Sequence, residues 1–465
     1  MLQMIAICPH PPIIIPEIGK GELVRVEKTV EAMKKIAVDI KRLDPELLIF
    51  ITPHGAVFQD AITISHPRKV RGSFNKFGVA LSIEREFAAE LSKEILKASQ
   101  SIKGMVAELN DTDAQNYGIK LELDHGILVP LYYLDKAEVR CPIIPINMGM
   151  LPTSELYEFG TCLKKAIQKI NKKVVIIVSG DLSHRLTPDA PAGFDPQGKV
   201  FDEIMVQAIG EGDVMRIINI EESLVHKAGE CGLRPIIMGL GVLDGQKMET
   251  KIYSYEGPFG VGYLVASLRP GQEIATRFLL SKIKEREESK LTSIRNNESW
   301  PVKWARENLE NYLHKGELLP KPAVKPKEFS GRKGVFVSIK KQGQLRGCIG
   351  TISPAKESII EEIQANVLKA AFEDPRFEPI DKDELDELVY SVDILENPEK
   401  INGIDQLDPE IYGVIVKKGF RQGLLLPMLE GINNAEEQVA IAKQKAGIGT
   451  HEKVELERFK VTRYK

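Results

Sequence analysis

The stretch Val174-Val175-Ile176-Ile177-Val178-Ser179-Gly180-Asp181-Leu182-Ser183-His184 organises the first half of this chain. The very apolar run at 174–178 predicts a strand, Gly180 lets the backbone turn tightly, and His184 then falls just beyond the strand's carboxyl end. Working outward, the same arrangement recurs twice. An apolar run at 4–8 leads into His10, and Leu47–Thr52 leads into Pro53-His54-Gly55. Helical patterns at 24–43, 84–98 and 154–170 alternate with these runs and with Ile143–Asn147, and the rhythm continues through helices at 200–210 and 234–243 to a last strand at 260–267. Short strands alternating with helices predict an α/β unit, a central sheet flanked by helices. In such sheets ligands bind outside the carboxyl ends of the strands, so His10, His54 and His184 are expected to share one rim.

A further histidine lies in Asp124-His125-Gly126. Half of the eight histidines thus occupy Gly- or Pro-flanked loops, whereas His66, His226, His314 and His451 lack that context and are read as structural. Clustering of metal-ligating residue types marks a candidate site. Asp181 and Asp124 stand beside its histidines, where a carboxylate either orients an imidazole or caps the following helix, and capping is the favoured role.

Taken together, Pro9-His10-Pro11-Pro12, Pro53-His54-Gly55, Asp124-His125-Gly126-Ile127-Leu128-Val129-Pro130-Leu131 and Gly180-Asp181-Leu182-Ser183-His184 resemble class III (LigB-like) extradiol dioxygenases in order and spacing. The resemblance implies that His10 and His54 are iron ligands, that His184 is the acid/base at the substrate, and that His125 stands near bound oxygen. It also implies a glutamate as third ligand, completing a two-histidine, one-carboxylate set. Here the segment reads Ala228-Gly229-Glu230-Cys231-Gly232-Leu233-Arg234-Pro235. An ungapped match to the related Memo family puts Cys231 at the ligand position, with Glu230 its neighbour. Glu230 would suit an Fe(II) oxygenase, and Cys231 a softer copper or iron site. The implied activity is a non-haem Fe(II)-dependent oxygenase acting with O2 on a small catechol-, aminophenol- or indole-like aromatic. The alternative is a Memo-like copper- or iron-binding redox or interaction protein without oxygenase turnover; another divalent metal would also suit the ligand types.

Composition sets the frame. With 465 residues, 43% of them hydrophobic, the chain exceeds one ordinary core and predicts two domains. The boundary is expected at Arg269-Pro270-Gly271, giving a first domain at 1–270, a charged helical linker at 271–297 and a second domain at 298–465. A formal charge of -3 from 63 basic and 66 acidic residues, interspersed along the chain, offers no footprint for nucleic acid. The five cysteines are widely spaced and include no Cys-x-x-Cys pair, which fits a reducing cytoplasm. No apolar run reaches membrane-spanning length, and the apolar N-terminus lacks a basic n-region and reads as the mature first strand.

The second domain changes style. A helix at 301–314 and a Pro/Lys-rich loop at 320–327 precede hairpin pairs at 335–340 with 345–351 and at 414–417 with 424–427, turning at Gln342-Gly343 and Gly419, and helices at 356–372 and 435–446, an α+β pattern. Leu345-Arg346-Gly347-Cys348-Ile349-Gly350-Thr351, Ala371-Phe372-Glu373-Asp374-Pro375-Arg376-Phe377, Gly423-Leu424-Leu425-Leu426-Pro427 and Glu457-Arg458-Phe459 resemble the AMMECR family. Glycines around Cys348 would admit a backbone or ligand, and Arg346 would stabilise a thiolate there. A metal-free hydrolase using Cys348 lacks an evident histidine partner nearby in sequence. Such domains occur as a set with Memo-like and radical-SAM proteins, so the resemblance implies one shared process and a radical-SAM partner. The second domain is expected to cover the metal site or deliver substrate through Arg346, Cys348, Asp374 and Arg376. Assembly as a homo-oligomer is left open.

Overall fold

Strands that are apolar at nearly every position need cover on both faces, and the helices between them supply it. The computed structural model describes all residues except 103, 323–325, 330, 342, 430, 431 and 433. It divides into two units, Met1–Glu287 and Glu288–Lys465. The first contains an eight-stranded sheet built from β1 (Leu2–Cys8), β2 (Leu47–Thr52), β3 (Ile62–His66), β4 (Val106–Asn110), β5 (Ile143–Asn147), β6 (Val174–Ser179), β7 (Gln246–Glu256) and β8 (Tyr263–Glu273), in the order β4-β3-β5-β2-β6-β1-β8-β7. The four strands β5, β2, β6 and β1 run parallel, with Thr52 opposite Asn147 and Cys8 opposite Ser179. Their carboxyl ends therefore line one edge.

The period-two alternation of strands sorts the core into two layers. Ile5, Ile7, Ile49, Ile51, Ile176 and Val178 face one side, whereas Met4, Ala6, Cys8, Leu48, Phe50, Val175 and Ile177 face the other. Helices α1 (Glu27–Leu43) and α2 (His125–Lys136) pack on the second layer, and α3 (Thr153–Ile170) and α4 (Leu233–Val242) on the first. Each fully buried large apolar side chain contributes about 1.5–3 kcal/mol relative to exposure.

The α/β and α+β architectures are those expected, with local differences. Residues 84–98 were expected as one helix; instead Val70–Ser73 pairs with Ser82–Arg85, and the helix starts at Ala89. Alternation in Ser82-Ile83-Glu84-Arg85 buries only Ile83, a strand-like pattern. Strands β3, β4 and β7 were not anticipated, because β3 and β4 are only five residues long and the 11-residue β7 is mostly polar or charged, with only Met248 buried. Strand β8 continues through Arg269-Pro270-Gly271 to Glu273, past the expected boundary. Beyond Leu268 it pairs only with β7, through an irregular register, a setting that tolerates proline. The two units divide at Glu287–Glu288, within the charged helix Leu280–Asn296 and inside the expected 271–297 linker.

In the second unit, one antiparallel sheet orders Gln344–Gly350, Val335–Lys341, Leu388–Leu395 and Val461–Tyr464, and another orders Glu399–Ile401, Glu455–Phe459, Gly413–Lys418 and Arg421–Leu425. Helices Trp300–Lys315, Ile359–Phe372 and Ala435–Lys445 accompany them. Gln342 of the expected first turn and part of the 320–327 loop lie outside the described residues. Among the described residues, no helix is long and apolar enough to cross a membrane.

Candidate metal centre

The parallel strands place their terminal loops together, and three histidines meet there. His10, two residues past β1, and His54, two residues past β2, bring their Nε2 atoms to 3.0 Å. His125, the first residue of α2, stacks on His54 with ring centroids 4.2 Å apart and meets His10 edge-on at 5.1 Å. One ligand atom from each of the three lies within 4.8 Å of the others. Burial is the leading cause that holds all three imidazoles below their usual basicity. Charges on the other histidines add to this for His10 and His54, and His54 is pushed down to about 3. These rings are therefore neutral at pH 7 and offer lone pairs.

Two imidazole nitrogens at 3.0 Å require either one proton between them or a cation that accepts both lone pairs. Neutral, buried, convergent imidazoles suit a transition-metal ion. The residues present therefore fit a metal.

Thr52, Asp124 and Gly126 fix this arrangement. The Asp124 carboxylate caps α2 by accepting the Gly126 N–H at 2.7 Å, and it also accepts the Thr52 hydroxyl at 2.9 Å. It thereby ties the end of β2 to the helix that begins with His125. Gly126 is required by close approach, since a Cβ there would meet the Thr52 hydroxyl and the Asp124 carboxylate. Asp181 accepts the His10 backbone N–H at 2.9 Å, and burial pushes its carboxyl up to about 6. His184 lies near enough for its charge to depress His10 and His54. Its buried Nε2 has no hydrogen-bond partner among the described residues.

The two candidates for the third ligand separate clearly. Cys231 turns its Sγ to within 3.7 Å of His10 Nε2, whereas Glu230 turns away and accepts the Leu233 N–H at 2.5 Å, at the start of α4. The Leu233 N–H at the start of α4 engages the Glu230 carboxylate and keeps it away from the cluster, whereas His125 lies together with His10 and His54. Burial raises the Cys231 thiol well above its ordinary range, with Asp181 adding to the effect. His66, read as structural, hydrogen-bonds Glu108 at 2.9 Å and stacks on Phe87. Sequence reasoning missed Phe77, whose ring meets His125 at 6.1 Å, and Lys76, whose charge opposes protonation of His125. No periodic signal marked that short loop.

Residues 4–266 match the family described as the catalytic LigB subunit of aromatic ring-opening dioxygenase. The chain belongs to the LigB family. Its residues 302–465 match AMMECR1, so this LigB protein carries both domains in one chain. Protein CA_C1420 of Clostridium acetobutylicum is 41% identical over 462 residues, covering 98% of each chain. A Thermotoga maritima protein is 50% identical over 167 residues, 35% of this chain and 96% of its own. Among solved structures, uncharacterized protein PH0010 from Pyrococcus horikoshii is 32% identical, covers 35% of this chain and 88% of its own, and has a TM-score of 0.34. Uncharacterized protein JW3007 from Escherichia coli K12 is 13% identical, covers 57% and 99%, and has a TM-score of 0.41.

In the AMMECR1 unit, three of the four expected surface residues come together. Asp374 accepts the Cys348 N–H at 2.9 Å and holds Arg376 at 2.9 and 2.7 Å. Arg346 stands apart, gripping Glu384 at 3.0 and 2.8 Å and the Glu378 carbonyl at 2.6 Å. The expectation that Arg346 stabilises a Cys348 thiolate is corrected, because a carboxylate already satisfies this guanidinium. Arg376 favours the thiolate, yet burial outweighs it and pushes the Cys348 thiol up. Gly347 serves packing, since a Cβ there would strike the Ala370 carbonyl of Ile359–Phe372.

Proposed function

We propose that this LigB protein is a non-haem metal-dependent oxygenase acting with O2 on a small aromatic of the catechol, aminophenol or indole class, with Fe(II) as the metal. The convergence of His10, His54 and His125 at the carboxyl edge of the parallel strands carries this reading. These three side chains would hold the metal. A bound Fe(II) supplies a centre where the aromatic and dioxygen meet and where electrons pass between them.

The remaining work falls to the chain. The His184 Nε2, buried and without a partner, is suited to exchange a proton with a ring hydroxyl. Burial keeps this imidazole below its usual basicity, so it begins neutral at pH 7 and accepts the proton before returning it. The Phe77 ring, edge-on to His125, offers an apolar wall for an aromatic, and Lys76 beside it favours an anionic substituent. The AMMECR1 unit is proposed to assist the same process, a reading supported by the Clostridium acetobutylicum protein matched across both units.

One observation favours a second reading. The Cys231 Sγ near His10 supplies a soft donor suited to copper or redox chemistry without oxygenase turnover. Metal content of protein purified without oxygen, followed by oxygen uptake with catechols, aminophenols and indolic compounds after Fe(II) loading, separates the two. The oxygenase reading expects stoichiometric iron and uptake abolished by His10→Ala or His54→Ala. Iron bound without uptake on any aromatic, or no iron retained, would overturn it.

A further inference from the structure

Counting protons around Ser179 leads from a helix proline to the state of His10. Helix α2 contains Pro130, which has no N–H to give the carbonyl four residues earlier, that of Gly126. The open carbonyl accepts the Ser179 hydroxyl at 2.5 Å. A carbonyl oxygen only accepts, so this contact uses the one proton that the hydroxyl carries. Ser179 Oγ also lies 2.9 Å from His10 Nδ1. With its proton spent, Oγ can only accept there, and His10 Nδ1 must be the N–H donor. A neutral imidazole carries one such proton. His10 Nε2 is therefore left with its lone pair, and this is the atom 3.0 Å from His54 Nε2 and 3.7 Å from Cys231 Sγ.

Solvent does not offer another arrangement. Ser179 is 0% exposed and His10 2%, and Ser179 is the one hydroxyl in the otherwise apolar, fully buried β6. The backbone adds a second anchor, because the His10 N–H is held by Asp181. His10 is thus fixed at its main chain and at Nδ1, and only Nε2 points into the cluster. In the metal-free protein the proton within the 3.0 Å contact then belongs to His54.

We propose that Ser179, seated on the Gly126 carbonyl that Pro130 leaves open, is a positioning residue that holds His10 in the Nδ1–H tautomer with its Nε2 lone pair turned to the metal. The inference rests on the metal-site reading above for its purpose, but the tautomer itself is a property of the metal-free chain. It assigns the Pro130-Gly126-Ser179-His10 relay a task that ordinary helix and strand packing would not require. Orienting hydrogen bonds of this kind typically change metal affinity by about 10- to 100-fold.

The test uses the full-length protein with 15N-labelled histidine, at a pH where His10 is neutral. Nitrogen shifts and ring couplings of the metal-free protein identify which nitrogen carries the proton, and Fe(II) affinity is measured anaerobically by competition. The wild type is expected to show His10 as Nδ1–H and His54 as Nε2–H. Ser179→Ala should shift His10 towards the Nε2–H form and weaken Fe(II) binding by about 10- to 100-fold. Pro130→Ala restores a helix N–H that competes for the Gly126 carbonyl, so it should move His10 in the same direction while leaving every side chain of the centre in place. It serves if Ser179→Ala folds poorly. A wild-type His10 found as Nε2–H overturns the proposal, as does an unchanged tautomer with unchanged Fe(II) affinity in both variants. A wild type that shows the Nδ1–H tautomer but binds no Fe(II) would sink the metal reading and, with it, the purpose assigned to the relay, while leaving the hydrogen-bond assignment intact.

Discussion

Replacing Asp124 by alanine removes the carboxylate that joins β2 to α2, and its cost can be worked out from two contacts. Loss of the N-cap bond to the Gly126 N–H costs about 1 kcal/mol. The Thr52 hydroxyl, 0% exposed, loses its acceptor, and an unsatisfied buried hydroxyl costs about 1–3 kcal/mol. Burial raises the Asp124 pKa, so the carboxylate is held at some expense that alanine relieves. The net destabilisation should be about 2–3 kcal/mol. Urea unfolding followed by far-UV circular dichroism measures it. Both tryptophans, Trp300 and Trp304, lie in the second unit, so their fluorescence follows that unit separately. Because His125 begins the capped helix and His54 follows Thr52 by two residues, Fe(II) affinity should also fall, by about tenfold. Asp124→Asn keeps an acceptor oxygen and should recover most of both losses. If Asp124→Ala lost less than about 0.5 kcal/mol and bound Fe(II) as the wild type does, the account of how the centre is braced would be refuted.

Asp202 and Glu230 provide further checks. Burial pushes the Asp202 carboxyl up to about 7, although it accepts the Ser183 N–H and the Tyr255 hydroxyl. A folded pKa above the unfolded value of about 3.9 contributes stability that is full below pH ~4 and lost as the pH rises through ~7. Asp202→Asn should therefore flatten that part of the pH–stability curve, gaining on the wild type by up to about 4 kcal/mol between pH ~4 and ~8, and parallel curves would contradict the assignment. Glu230→Ala removes an acceptor at the start of α4 and should cost about 1 kcal/mol while leaving the metal stoichiometry of the anaerobic protein unchanged. Loss of metal in that variant would place Glu230 in the ligand set.

The architecture was legible because its signals are local. Apolar strands and the glycines and prolines that end them can be read within a dozen residues, and those signals put His10, His54 and His184 beyond strand ends, on one expected rim. His125 was legible as a candidate, but its contact with His10 was not, since that depends on where α2 packs. Likewise Glu230 and Cys231 are adjacent in sequence, and only the entry into α4 turns one carboxylate to the helix and the neighbouring thiol to His10. Arg346 looked like a partner for Cys348 two residues away, where regular alternation would put both on one face, yet the register shifts at Arg346, between the Lys340–Leu345 and Ile339–Gly347 pairs, and Glu384 meets the guanidinium. The Ser179 relay was beyond sequence reasoning altogether. Its partners are separated by 53 and 169 residues, and a hydrogen bond's direction depends on which acceptors and donors remain after every neighbour has been placed. Sequence by itself determined the two kinds of unit, the parallel strands and the histidines at their ends, because periodicity and turn chemistry are properties of neighbouring residues. The tertiary structure alone decided which side chains converge and which nitrogen holds each proton, because those are set by distances of about 3 Å between residues far apart along the chain.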